Sequence, residues 1–148
     1  MTDVARLEAT IDADAGELWS VLADFEQYPS WARDLKSAEV LERDDQGRGV
    51  LVQFRAAAMG RSTNYILRYD HADAPARLPW RLESGDIMRK LDGEYRLEPL
   101  AGGGTRVVYE LEVELVVPLP GFVKHRAEHK IIHTALAELR SHVERARA

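Results

Sequence analysis

The sequence predicts an α+β protein in which a continuous antiparallel sheet of about seven strands is covered by one long C-terminal helix. Two patterns carry that reading. From Ser37 onward, six segments alternate apolar and polar residues and are separated by turn residues, the mark of an antiparallel meander. From Pro118 to Ala148, Phe122, His125, His129, Ile132, Leu136, Leu139 and Val143 return at steps of three and four, which puts them on one face of a helix. Composition adds that such a core can be buried. A chain of 148 residues, 45% hydrophobic and 30% charged, fits one ordinary domain spanning 1–148 rather than a disordered chain.

Taken in order, Val4 to Ile11 alternates as a first strand and ends at Asp12-Ala13-Asp14. Asp14 with Glu17 three residues on has the form of a capping box, so a short helix starts there and turns Leu18, Trp19, Val21 and Leu22 inward. Pro29 disfavours helix at Tyr28. Asp24 to Trp31 is therefore expected as a loop or a broken second helix, whose aromatics form either a packed lid or the rim of a binding site. The meander follows. Its first strand, 37–43, closes at Asp44-Asp45-Gln46-Gly47, and its second, 49–57, holds Val50, Val52, Phe54 and Ala56 in one phase before a turn at Met59-Gly60. Strand 61–71 holds Thr63, Tyr65, Leu67 and Tyr69 in phase, and strand 77–84 carries Leu78, Trp80 and Leu82. Strand 91–98 sets Leu91, Gly93, Tyr95 and Leu97 against Asp92, Glu94, Arg96 and Glu98. After Gly102-Gly103-Gly104, strand 105–116 sets Val107, Tyr109, Leu111, Val113 and Leu115 against Glu110, Glu112 and Glu114. One face of these last strands is wet and the other covered, and the long helix is the cover. Leu119-Pro120-Gly121 opens that helix, which at about 1.5 Å per residue is about 40 Å long. Lys130, Thr134, Glu138, Ser141 and Arg145 fall on its outer side.

The formal net charge of −5 argues against a nucleic-acid partner. Charge is unevenly placed: residues 121–148 carry a net +3, which leaves −8 for the rest, and a solvated outer helix face accounts for it. No apolar run approaches the roughly 20 residues of a membrane span, and the opening MTDVARLEAT has no secretory h-region. With no cysteine in the chain, a cytoplasmic location is expected.

Two motifs bear on chemistry. His125-Arg126-Ala127-Glu128-His129 has the H-x-x-E-H form of a zinc protease helix. Glu128 falls well off the face shared by the histidines, so no metal is expected, and His125 and His129 read as partly buried polar residues, each with a hydrogen bond. The tyrosines say more. Tyr65, Tyr69, Tyr95 and Tyr109 share the inward phase of their strands with Thr63 and Trp80, and buried hydroxyls need partners. They either line a mostly apolar cavity with a few polar groups or reach the sheet edge and meet water. No nucleophile elbow, P-loop or dinucleotide fingerprint is present, and no cofactor is expected.

Ile11-Asp12-Ala13, Trp19, Asp24 to Trp31, Leu91 to Leu97, Gly104 to Tyr109 and Pro118 to Phe122, in that order and spacing, resemble the START-like (SRPBCC) superfamily, and within it the bacterial polyketide cyclase/dehydrase and lipid-transport group. The resemblance implies a helix-grip fold, with a curved sheet wrapped around the long helix and a hydrophobic cavity between them. In the aromatase/cyclase members an arginine enters the cavity from the strand corresponding to 61–71. Here the inward phase has Tyr69, with Arg68 on the other, while Tyr28 matches an aromatic near their cavity mouth. The expected ligand is a hydrophobic small molecule such as a lipid, isoprenoid or polyketide. Its contacts are expected from Tyr28, Trp31, Phe54, Thr63, Tyr65, Tyr69, Trp80, Tyr95, Tyr109, Phe122, His125, His129, Ile132 and Leu136. An enzyme of the cyclase/dehydratase type would use His125, His129 or Tyr69 as general acid or base. A third reading, resembling the ubiquinone-binding and ribosome-association members, gives the surface to a protein partner.

Overall fold

The computed structural model describes residues 4–58, 61–117 and 120–147. The expected turn at Met59-Gly60, Pro118, Leu119 of the expected helix opening, the first three residues and Ala148 lie outside them. The chain runs β1 (Ala5–Ile11), α1 (Ala15–Ala23), a 3₁₀ helix (Phe25–Ser30), β2 (Leu35–Arg43), β3 (Gly49–Ala58), β4 (Arg61–Tyr69), β5 (Arg77–Gly85), β6 (Met88–Pro99), β7 (Thr105–Leu115) and α2 (Gly121–Arg147). The seven strands form one antiparallel sheet in the order β1-β7-β6-β5-β4-β3-β2, so only β1 departs from a plain meander. The helix-grip architecture is therefore present.

Local chemistry explains most boundaries. Asp14 caps α1 by accepting the Glu17 amide at 2.8 Å, which satisfies one of the free N–H groups of a helix start. The chain beyond α1 becomes a 3₁₀ helix with Pro29 inside it, the short broken second helix of the two alternatives expected there. β4 stops at Tyr69, two residues before the expected end, because Asp70 accepts the Ala72 amide and begins the turn. β6 starts at Met88, three residues early, extending a pairing with β7 that reaches Leu115. The turn into β7 takes Gly103 and Gly104 at φ 99° and 79°, a region that residues with a Cβ seldom enter.

One expectation about the sheet is only partly met. The outer face of β7 is not wet throughout, since Val108 and Glu112 are buried there. Val108 lies opposite Glu8 of β1 and Arg96 of β6. These strands carry ion pairs across that face, including Arg96–Glu94 at 2.6 Å, Arg77–Glu94 at 2.8 Å and Arg6–Glu8 at 3.3 Å, and long charged side chains shield the apolar surface beneath them.

The helix also differs. α2 packs on β1 and β7 through a stripe of Glu128, Ile132, Leu136, Leu139 and Val143, all buried. Phe122, His125 and His129, expected at the head of that stripe, are not part of the core: Phe122 is 68% exposed, His129 is exposed, and the His125 side chain is 41% exposed. Glu128, expected off the buried face, is fully buried, and its Oε2 accepts the Val113 amide at 2.9 Å. The reason is register. β1 begins at Ala5 opposite Leu111, whereas Glu128 meets β7 at Val113. The first turns of α2 therefore lie past Ala5, where no strand of the described residues continues β1.

Candidate cavity between the sheet and α2

Because α2 rests on β1 and β7, the inward faces of β3 to β6 are not packed against α2, and α1 and the 3₁₀ helix cover them only in part. Aromatic side chains line the space that results, a cavity of about 580 Å³, within the range of small-molecule sites. Phe54 of β3, Thr63, Tyr65 and Tyr69 of β4, Trp80 of β5, Tyr95 of β6 and Tyr109 of β7 line it, with Tyr28 and Trp31 from the 3₁₀ helix and its end. Period-two alternation is what brings these residues to one side of the sheet. Their rings form continuous chains: Trp31–Tyr28 at 5.1 Å, Tyr28–Phe54 at 5.9 Å and Phe54–Tyr65 at 5.6 Å on one wall. Tyr69–Trp80 at 5.8 Å, Trp80–Tyr109 at 5.5 Å and Tyr95–Tyr109 at 4.5 Å make the other. Edge-to-face and offset contacts of this kind hold the wall rigid.

The polar atoms on this wall are mostly donors without partners. Tyr28 is the exception, donating its hydroxyl to the Leu22 carbonyl at 2.5 Å at the end of α1. The hydroxyls of Tyr65, Tyr69, Tyr95 and Tyr109 make no hydrogen bond to other described residues. The Trp31 and Trp80 indole N–H groups are buried and equally unpartnered. Burial pushes all five tyrosine hydroxyls well above their ordinary pKa, with neighbouring tyrosines adding to the shift for Tyr28, Tyr69, Tyr95 and Tyr109. They stay protonated, so the wall offers neutral donors rather than charges. Thr63 gives its hydroxyl to Asp86 at 2.6 Å.

The mouth opens between α2 and the segment after the 3₁₀ helix. Lys130, Ile131, Thr134 and Glu138 of α2 face Ala32, Asp34 and Leu35. Glu138 ties the two sides together by accepting the Arg33 amide at 3.2 Å, and Trp31 stacks on His142 at 6.0 Å.

Of the fourteen residues expected to contact a ligand, nine line the cavity and five do not. Ile132 and Leu136 are buried, but on the stripe that packs against the sheet. Phe122, His125 and His129 lie outside the lining as well. Helical geometry accounts for all five. At about 100° per residue, Lys130, Ile131, Thr134 and Glu138 are centred more than a quarter turn from the packed stripe. His125 and His129 lie on the side of that stripe away from them. Tyr69 is thus the one catalytic candidate at the cavity. Arg68 is on the outer face, where its Nε meets Glu83 at 3.1 Å. Sequence reasoning misses the small residues that leave room, Ala32, Ala57, Ala127 and Ala135. On α2 the available signal is the i, i+4 run Lys130, Thr134, Glu138, which the apolar period assigns to solvent.

A second depression, of about 640 Å³, lies over the β2–β3 hairpin and the start of the β4–β5 loop, among Asp44, Arg48, Arg68, Asp70 and Arg81. Val50, Tyr69, His71, Pro79 and Trp80 line it as well, and of its charges Asp44 pairs with Arg48 and Arg68 with Glu83. No helix among the described residues is long and apolar enough to cross a membrane.

Comparison with known proteins agrees with this geometry. No curated protein matches by sequence. Among solved structures, a START superfamily protein from Mycobacterium smegmatis superposes with a TM-score of 0.91 at 24% identity, over 97% of this chain and 98% of that one. The Zhui aromatase/cyclase from a Streptomyces species gives 0.83 at 19% identity, over 100% and 97%. A protein from Thermus thermophilus gives 0.80 at 24% identity, over 99% and 100%. At these identities the likeness is one of fold. The sequence model of polyketide cyclase/dehydrase and lipid-transport proteins, however, matches residues 11–140, and with the helix-grip fold around an aromatic cavity this chain belongs to that family.

Proposed function

We propose that the protein binds a hydrophobic small molecule that carries oxygen acceptors, and serves as its carrier or binding protein. The observation that carries this reading is the aromatic cavity of about 580 Å³ lined by Tyr65, Tyr69, Tyr95 and Tyr109, whose hydroxyls make no hydrogen bond to other described residues. A buried donor left unpaired costs about 1–3 kcal/mol, so a ligand that supplies carbonyl, ether or hydroxyl oxygens at those points is favoured over a plain hydrocarbon. An oxygenated lipid, an isoprenoid quinone or a polyketide has that character. Binding is preferred to acid–base turnover because the cavity-lining residues include no histidine, and the tyrosine hydroxyls are held in their protonated form.

The test is native mass spectrometry of the protein purified from its own host, with extraction of whatever it retains. A titration of tryptophan emission against a panel of oxygenated and plain apolar compounds accompanies it, since Trp31 and Trp80 are two of the three tryptophans. One retained oxygenated molecule at near-unit stoichiometry, bound about two- to tenfold more weakly by Tyr109→Phe, is the expected result. An empty protein whose emission no compound changes would sink the reading.

A further inference from the structure

The outer face of the first half of α2 is basic and partly apolar in a protein that is acidic overall. Between Gly121 and Ala137 the cations Lys124, Arg126 and Lys130 stand with a single acid, Glu128, and that acid is turned inward and fully buried. Arg126 and Lys130 are exposed and make no ion pair with other described residues. Large apolar side chains stand out on the same stretch and on the segment leading into it: Val116 at 47% exposure, Val117 at 65%, Phe122 at 68% and Ile131 at 41%. At about 100° per residue, Arg126 and Lys130 are turned away from the packed stripe, and Phe122 and Ile131 stand about a quarter turn from it on either side. Lys130 and Ile131 also line the cavity mouth.

We propose that this face docks on an anionic lipid bilayer and so sets the cavity mouth at the membrane surface. Isolated apolar side chains beside unpaired cations on a convex helix suit a fluid interface, where apolar side chains enter the headgroup boundary while cations meet anionic lipid. Charge sets the orientation. The whole chain carries −5, of which this terminal segment contributes a positive share, so the rest of the surface is repelled by the same bilayer. The inference concerns the surface and holds whichever ligand fills the cavity.

The experiment is flotation of the full chain, at low salt, with vesicles of phosphatidylcholine alone and of equal parts phosphatidylcholine and phosphatidylglycerol. The protein is expected to float with the anionic vesicles only, and to be released as salt is raised to about 1 M, where the screening length falls to about 3 Å. Arg126→Glu is expected to weaken partitioning by about tenfold or more, because one cation is lost and one anion gained. Phe122→Ser is expected to weaken it severalfold at any salt. Both side chains are outside the cavity lining, so unfolding temperature and ligand-dependent tryptophan emission should match the parent protein. Those two readouts separate a failure of docking from a failure of the cavity reading. No flotation with anionic vesicles at low salt, or flotation that Arg126→Glu leaves unchanged, overturns the proposal. Capture of an acidic protein by this face without vesicle binding overturns it equally.

Discussion

Gly93 is the position where one added methyl group should do most harm to the cavity. It lies in β6 between Trp80 of β5 and Leu111 of β7, on the face that carries the aromatic wall. A Cβ built there would stand 2.4 Å from the Glu110 carbonyl oxygen, 2.9 Å from Trp80 Cζ2 and 3.3 Å from Leu111 Cδ1. The first contact is with backbone in the β6–β7 ladder, which cannot withdraw without loosening strand pairing. The second is with an indole already in contact with Tyr69, Tyr95 and Tyr109 at 5.5–5.8 Å. Overpacking usually costs about 1–3 kcal/mol, and a backbone clash puts Gly93→Ala at the upper end, about 3 kcal/mol. For a chain of this size that lowers Tm by about 6–12 °C, a large part of a stability of about 5–15 kcal/mol. Gly102→Ala is the control, because nothing lies within 4 Å of its added Cβ, and it should stay within about 0.5 kcal/mol of the parent. Urea unfolding followed by circular dichroism measures both, and tryptophan emission reports whether Trp80 has moved. A Gly93→Ala protein as stable as the Gly102→Ala protein, with unchanged emission, would falsify the account of how the wall is packed.

Further outcomes follow from the same structure. All five tyrosines have hydroxyls raised by burial, so absorbance near 295 nm should not rise gradually around pH 10 but appear in one step with loss of near-ultraviolet dichroism. The sign is fixed by linkage: the folded state keeps protons that the unfolded state releases, so their stabilisation is complete below about pH 10 and fades above it. A gradual phenolate signal in a protein still folded refutes that burial. Glu128→Leu leaves the Val113 amide without its acceptor and should cost about 1–3 kcal/mol in urea unfolding. Glu128→Gln keeps an acceptor and should cost less, and equal losses would show that the hydrogen bond is not what matters. Asp44 accepts the amides of Arg48 and Gln46 and the Arg48 guanidinium, which together lower its pKa, the Arg48 amide contributing most. Its contribution is present above about pH 4 and lost as pH falls through the lowered value. Asp44→Asn should therefore flatten the acid limb of a stability–pH curve, and an identical limb in both proteins would rule Asp44 out.

Nine of the fourteen expected ligand contacts line the cavity, and eight of these, from Phe54 to Tyr109 and including Tyr28, are legible from strand phase or from position beside Pro29. Strand phase is a two-state property. Once Tyr65 is inward, Tyr69 must be, and a pairing such as Tyr95 with Tyr109 follows the same alternation. A helix has no such binary choice. The apolar period of α2 locates a stripe at Ile132, Leu136, Leu139 and Val143, yet it does not say that the cavity faces a different side, because that depends on which strands the helix covers.

The sequence by itself determined the element order, the inward set of the strands and the cap of α1, since alternation, turn residues and capping are local rules that act over a few residues. It also carried the donors that make the wall polar. Only the tertiary structure decided that α2 would rest on β1 and β7 and not on β3 to β6. It decided too that β1 would begin opposite Leu111, which leaves His125 and His129 beyond the strand and draws Glu128 inward to the Val113 amide. Those outcomes follow from where β1 comes to lie beside β7 and α2, segments about a hundred residues or more away along the chain, and no local period encodes that distance.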